Sequence, residues 1–202
     1  MVAVPSTMLP LGTPLPDFSL VNTVDGRRVS PAAFTRDQAL LVMFICNHCP
    51  YVKHVLHEIG RIASEYRPRG VGMVAISSND AAAFPDDAPD RMKALAKQEG
   101  WSFPYLYDET QNVAKAFNAA CTPEFYLFDA GRTLVYRGQL DDSRPKSAEP
   151  VTGKDLRGAL DAMLAGRSVP PDQKPSVGCN IKWKRGNEPE WFATPPSSSS
   201  AA

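Results

Sequence analysis

Leu40-Leu-Val-Met-Phe-Ile45, Cys46-Asn-His-Cys-Pro50 and the helical pattern that continues to Ile62 decide the fold. The apolar run from Leu40 to Ile45 is too short for a membrane span and suits a strand buried on both faces. After Pro50, apolar residues recur at Val52, Val55, Leu56, Ile59 and Ile62, which is helical spacing. Cys46 and Cys49 therefore stand at a strand-to-helix junction, on or just before the first helical turn. The unpaired N–H groups of a helix start favour a negative sulfur, and the thiolate is the form that attacks a disulfide or a peroxide. The two cysteines are close enough in sequence to form a disulfide once the first has reacted. His48 between them is placed to add positive charge or to shuttle a proton, and Pro50 fits the helix start, where its missing N–H costs nothing. A C-x-x-C can also be half of a zinc site, but no partner C-x-x-C or H-x-x-x-H is present, so no metal is expected. The strand–CxxC–Pro–helix context weighs against a third reading, a chance pair of inert structural thiols.

Outward from this stretch, 202 residues suit one domain with a tail. Lys plus Arg and Asp plus Glu both number 22, which suggests no nucleic-acid or membrane-surface partner. Four cysteines are too few for a disulfide-scaffolded secreted domain. The N-terminus shows neither a basic leader nor a long apolar segment, so a cytoplasmic location is the default expectation. No organic cofactor is implied.

Residues 1–16, with four prolines, read as an extended lead-in, and residues 17–167 as the main domain. Within it, Asp17 to Asn22 and Arg27 to Ser30 flank the tight-turn pair Asp25-Gly26 and predict a hairpin. Val71 to Ile76 reads as a second buried strand, closing a strand–helix–strand unit. Ser77-Ser-Asn-Asp80 reads first as a turn, although at the C-terminal end of a strand Asn79 or Asp80 could border a site. His54 and His57 fall on the polar side of the first long helix and are expected in solvent. Residues 81–89 read as loop. Pro123, in Cys121-Thr-Pro-Glu124 ahead of the strand Phe125 to Phe128, must occupy a special turn. Thr152-Gly-Lys-Asp155 has the form of a capping box opening an amphipathic helix. Residues 168–192 read as a C-terminal extension whose Cys179, Trp183 and Trp191 dock on the domain, and 193–202 as a disordered tail.

The chain resembles the thioredoxin fold in its peroxiredoxin-like, thiol–disulfide-reductase branch, and more narrowly the peroxiredoxin-like thioredoxin family proteins of bacteria, relatives of the alkyl hydroperoxide reductase/thiol-specific antioxidant group. The pieces that carry the likeness are Cys46-Asn-His-Cys-Pro50, Phe103-Pro-Tyr-Leu106, Cys121-Thr-Pro-Glu124, Tyr136-Arg-Gly138 with Asp141-Asp142, and Gly178-Cys-Asn-Ile-Lys-Trp183. The resemblance implies an α/β fold with a central mixed sheet flanked by helices and an N-terminal hairpin extension. It implies that Cys46 is the exposed attacking thiol and Cys49 the resolving one, though Cys49 also matches the peroxidatic cysteine of peroxiredoxins. Pro123 matches the cis-proline facing the redox pair, and Thr122 would offer its backbone to an incoming disulfide or peptide as an added strand.

The sequence also departs from both parents. The Pro and the Thr or Ser that peroxiredoxins carry ahead of their cysteine fall here on Val42 and Cys46. Leu40 replaces the buried Asp of thioredoxins, leaving Glu124 or His48 as candidate proton acceptors. Cys121 and Cys179 are candidates for additional redox roles; for Cys121 a buried inert thiol is an equal reading. The expected activity is thiol–disulfide exchange with a disulfide-containing protein or small-thiol substrate, and a reductant such as thioredoxin or glutathione. The alternatives are a thiol peroxidase with antioxidant activity and a copper-binding thioredoxin-fold protein, since soft thiolates suit Cu(I). The peroxiredoxin relationship leaves room for a homodimer.

Overall fold

Residues 3–192 are described in a computed structural model of the chain; the expected tail 193–202 lies outside the described residues. The lead-in contains β1 (Ala3–Pro5), and the predicted hairpin is β2 (Leu20–Asn22) with β3 (Arg28–Val29). The strand before the cysteines is β4 (Ala39–Phe44) and the helix after them α1 (Pro50–Tyr66). Then follow β5 (Val71–Ser77), α2 (Pro89–Gln98), β6 (Tyr105–Tyr107) and α3 (Asn112–Ala116). The segment around Pro123 divides into β7 (Cys121–Thr122) and β8 (Glu124–Phe128), succeeded by β9 (Leu134–Gly138), α4 (Lys154–Leu164) and β10 (Val177–Asn180).

Seven strands form the main sheet in the order β3-β2-β6-β5-β4-β8-β9. The inner pairs β4·β5 and β5·β6 are parallel and the others antiparallel, which is the expected mixed sheet. Every residue of β4 is buried because both faces of the sheet are covered. Leu41 and Met43 face the layer built from α1, α2 and α4, while Leu40, Val42 and Phe44 face the layer that includes α3, Phe117 and Trp183. At ~1.5–3 kcal/mol for each large apolar side chain fully buried, and with side chains alternating between faces, the pattern admits no one-residue slip. Holding β4 in register fixes where its C-terminal end delivers Cys46.

A second sheet of three strands, β1-β10-β7, ties the lead-in and the C-terminal extension to Cys121–Thr122. Cys179 stands in the middle strand of this sheet, 3% exposed. Trp183 packs edge-on against Trp191 and joins the apolar layer that includes α3. Gln111 adds a polar lock: its amide N–H2 donates to Ser78 O and Lys182 O, and its Oε1 accepts from Lys184 N.

Three local expectations are corrected. The capping box does not form, because the N-cap of α4 is Gly153 at φ 68°, without a side-chain cap. The Asp141 carboxylate takes its place, accepting from Thr152 N and Gly153 N at 2.7 Å each, which sets a negative charge at a helix start. His54 is half-buried rather than solvated, its Nε2 lying 2.7 Å from Ser143 Oγ. Residues 85–87 form a 3-10 turn rather than open loop, and it buries Asp87 completely.

Candidate functional site

The backbone brings Cys46, Cys49, Thr122, Pro123 and Cys179 to one place. β4 ends at Phe44, the chain crosses Cys46–Cys49 without regular structure, and Cys49 is the N-cap of α1 with Pro50 in the first turn. The Thr122-Pro123 peptide bond is cis. Cys46 Sγ lies 3.4 Å from Thr122 Oγ1, and Cys49 Sγ lies 3.2 Å from Thr122 O. No disulfide is present among the described residues. Cys46 and Cys49 are 1% and 0% exposed, so the expected solvent-facing thiol at Cys46 is in fact covered.

The sulfurs share protons unevenly. The Cys46 S–H donates toward Cys49, which holds the Cys46 proton in place; burial and the Asp87 carboxylate add to this and outweigh the Thr122 hydroxyl, so the Cys46 pKa is raised well above that of an ordinary thiol. Cys49 is lowered to about 5. The largest cause is the same hydrogen bond from Cys46, and burial opposes it. The Cys179 S–H, Thr122 and the Val52 backbone N–H in the first turn of α1 all favour the anion. Of the two sulfurs, Cys49 is the one whose surroundings favour the anion.

Asp87 is the functional-site residue that sequence reasoning missed. Its Oδ1 accepts from Asn47 N at 2.7 Å and His48 N at 3.2 Å; its Oδ2 accepts from His48 Nδ1 at 2.5 Å and Asn79 Nδ2 at 2.7 Å. Burial alone would raise its pKa, but the hydrogen bonds from His48 and Asn79 and the charge of the His48 ring win, and it is lowered. An ionised carboxylate only accepts, so His48 Nδ1 must carry the proton. His48 Nε2 is buried without a partner, and the ring stacks on Phe84 at 5.3 Å between centroids. Any positive charge on His48 is therefore balanced by Asp87. Asn79, read first as part of a turn, is 2% exposed and braces Asp87 while its Oδ1 accepts from Lys182 N. Asn47 is held from the other side by the Tyr105 hydroxyl at 3.2 Å.

Cys46, His48 and Asp87 present ligand-type atoms within 4.8 Å of one another. Each Asp87 oxygen already takes two donors, so that carboxylate is committed to the loop rather than offered to a metal.

Glu124 is not brought to the redox sulfurs. It pairs with Phe44 across β4·β8 and shares that residue's face of the sheet, opposite to Phe125 and the cysteines. Its Oε2 accepts from Ala120 N at 2.8 Å and Cys121 N at 3.2 Å. Burial raises its pKa to about 7 against these bonds. Cys121 is fully buried, its sulfur 3.9 Å from both Pro123 O and Glu124 Oε2, and burial with the negative Glu124 raises it well above an ordinary thiol.

A mixed sheet flanked by helices, a cis-proline and a helix-capping thiol in contact with a second thiol define a thioredoxin-like protein of thiol redox function. The Redoxin family model matches residues 10–156, and the chain belongs to that family. Among solved structures it is similar to an uncharacterized conserved protein from Geobacillus kaustophilus, with 59% identity, a TM-score of 0.89, and 91% of this chain and 97% of that one covered. It is also similar to a hypothetical protein from Sinorhizobium meliloti 1021, with 48% identity, a TM-score of 0.88, and coverage of 90% and 99%. A thiol:disulfide interchange protein of the thioredoxin family from Chlorobium tepidum, at 21% identity and TM-score 0.59 over 76% of this chain and 97% of that one, shares the fold. No curated protein matches the chain. No helix among the described residues is long and apolar enough to cross a membrane.

Proposed function

We propose that the protein is a thiol–disulfide oxidoreductase that exchanges disulfides through Cys46 and Cys49, with Cys49 as the attacking thiolate and Cys46 as the resolving thiol. One arrangement carries the reading: Cys49 stands at the N-cap of α1, both its sulfur and that of Cys46 lie against Thr122 beside the cis-Pro123 bond, and these surroundings lower the Cys49 pKa to about 5. At neutral pH one of the two sulfurs is thus a nucleophile and its neighbour a thiol in contact with it. The roles are the reverse of those the thioredoxin resemblance implies. Cys49 attacks one sulfur of the substrate disulfide, a new S–S bond forms, and the other substrate sulfur leaves as a thiolate. Cys46 then loses its proton and attacks Cys49 Sγ. The Cys46–Cys49 disulfide forms and the second substrate thiol departs, so two protein thiols are oxidised as one substrate disulfide is reduced. His48, held by Asp87 and with a ring nitrogen within 4.8 Å of Cys46 Sγ, is in this reading the base that takes the Cys46 proton. The substrate class is a protein or small-thiol disulfide, and a thiol such as glutathione or thioredoxin resets the pair.

A second reading, a thiol peroxidase, has its own support in the same low-pKa Cys49, which stands at the position resembling a peroxidatic cysteine. Val42 and Cys46 occupy the places where peroxiredoxins carry a proline and a hydroxyl residue, which argues against fast peroxide reduction. Single-turnover mixing of reduced protein with oxidised glutathione, and separately with hydrogen peroxide, decides between them. Disulfide exchange predicts that oxidised glutathione yields the Cys46–Cys49 disulfide. Oxidation by peroxide alone, with glutathione disulfide inert, would replace this reading with the peroxidase.

A further inference from the structure

β7 is only Cys121–Thr122, and its free edge is where an incoming strand would pair beside Pro123; that edge is already taken by β10 of the same chain. Cys179 is the register partner of Thr122, and Asn180 that of Cys121. The approach is close: a Cβ on Gly178 would sit 2.0 Å from Thr122 O and 3.2 Å from Pro123 N, so no larger residue fits there without moving the strand. On its other edge β10 is held by β1, with Ala3 opposite Cys179 and Val4 opposite Gly178. The consequence is that a cysteine occupies the position of a strand docked for exchange. Thr122 joins the two thiols: its carbonyl lies 3.2 Å from Cys49 Sγ and its register partner on β10 is Cys179, whose proximity favours the Cys49 anion.

We infer that Cys179 is a third redox thiol, which takes Cys49 from the Cys46–Cys49 disulfide and presents the resulting Cys49–Cys179 bond to the reductant. This rests on the disulfide-exchange reading of the Cys46/Cys49 pair. Cys179 attacks Cys49 Sγ, the Cys49–Cys179 bond forms as the Cys46–Cys49 bond breaks, and the electron pair leaves on Cys46, which receives the proton given up by Cys179. No net oxidation occurs in that step. A small thiol of the glutathione class then attacks Cys179 Sγ, releasing the Cys49 thiolate. A second thiol equivalent attacks the mixed disulfide on Cys179, leaving the oxidised small thiol and the three reduced cysteines. Cys179 reaches the pair from β10, an element separate from the β4–α1 junction that carries Cys46 and Cys49.

The test uses the full-length chain, oxidised by one equivalent of diamide, alkylated and mapped by mass spectrometry. Cys46→Ser should give an intramolecular Cys49–Cys179 disulfide, and wild type the Cys46–Cys49 bond together with a Cys49–Cys179 fraction. Cys179→Ser, folded as judged by circular dichroism, should form Cys46–Cys49 but be reduced by glutathione at least tenfold more slowly than wild type. If Cys179 remains alkylatable in oxidised Cys46→Ser, or if Cys179→Ser is reduced at the wild-type rate, the relay is wrong while the Cys46/Cys49 reading stands. If wild type and Cys179→Ser both fail to form Cys46–Cys49, the exchange reading itself fails, and the relay with it.

Discussion

Replacing Glu124 with Gln should make the protein more stable at mildly alkaline pH, relative to mildly acidic pH, than wild type is. The carboxyl is 1% exposed, lies across from Phe44, and accepts two backbone N–H groups through one oxygen. Those bonds do not compensate for the burial of a charge, and its pKa is about 7 against the ordinary 4.5. An acid whose pKa is raised on folding binds its proton more tightly in the native state. Its contribution is therefore most favourable below about pH 4.5 and is lost as pH climbs through about 7. With about 1.4 kcal/mol for each tenfold in proton affinity, the loss amounts to about 3 kcal/mol. A Gln at this position keeps an acceptor for Ala120 N and Cys121 N but never ionises. Urea unfolding under reducing conditions at pH 5 and pH 8 supplies the comparison. Wild type should lose about 2.5 kcal/mol more than Glu124→Gln between these values. Parallel pH dependence in the two proteins would refute the claim that Glu124 is buried and uncompensated.

Two further substitutions probe the frame of the site. Asp87→Asn sets an amide N–H2 against the donors Asn79 Nδ2 and His48 Nδ1 and removes the negative charge beside Cys46. It should cost about 3 kcal/mol of stability in urea unfolding and move the alkylation profile of Cys46 to lower pH; an unmoved profile would exclude Asp87 as a cause of the raised Cys46 pKa. Arg157→Met should cost about 2 kcal/mol by thermal or urea unfolding. It removes the two-pronged partner of the 4% exposed Glu58 of α1, whose Oε1 receives both Arg157 Nε at 3.0 Å and Nη2 at 2.8 Å, and leaves that carboxylate the more exposed Arg61 at 3.2 Å from Oε2. Adding Glu58→Gln in the Arg157→Met background should restore part of the loss, and no recovery would argue that Arg157 acts through packing instead.

Much of this architecture is visible from local pattern. The apolar run before Cys46 gives β4, the helical spacing after Pro50 gives α1 with the bounds Pro50–Tyr66, and Asp25-Gly26 gives the β2–β3 hairpin. These elements are specified by periodicity and turn chemistry within a few residues of each other. What stayed hidden is set by contacts distant in sequence. Asp87 stands 40 residues from Asn47 in what reads as a proline-flanked loop, and nothing local marks it as a buried hydrogen-bond acceptor. The alternation of β8 could have indicated that Glu124 faces away from Phe125 and the cysteines, but only once the strand had been given a register against β4. The capping-box form at Thr152 lost to Asp141, 11 residues upstream of it, which reaches the same helix start. The extension around Cys179 carries Gly178 next to the cysteine, a residue that permits close backbone approach, yet its pairing with β7 and β1 spans the whole chain and has no short-range signature.

The central claim is that Cys49 carries the thiolate, and the ultraviolet absorbance of thiolate read as a function of pH tests it without requiring that a reagent reach a buried sulfur. Reduced wild type should show one thiolate appearing with a midpoint at about 5. The signal should persist below neutrality in Cys46→Ser, where a serine hydroxyl still donates to Cys49, and vanish from that range in Cys49→Ser. A low-pH thiolate that survives Cys49→Ser and is lost in Cys46→Ser would contradict the account and return the attacking role to Cys46.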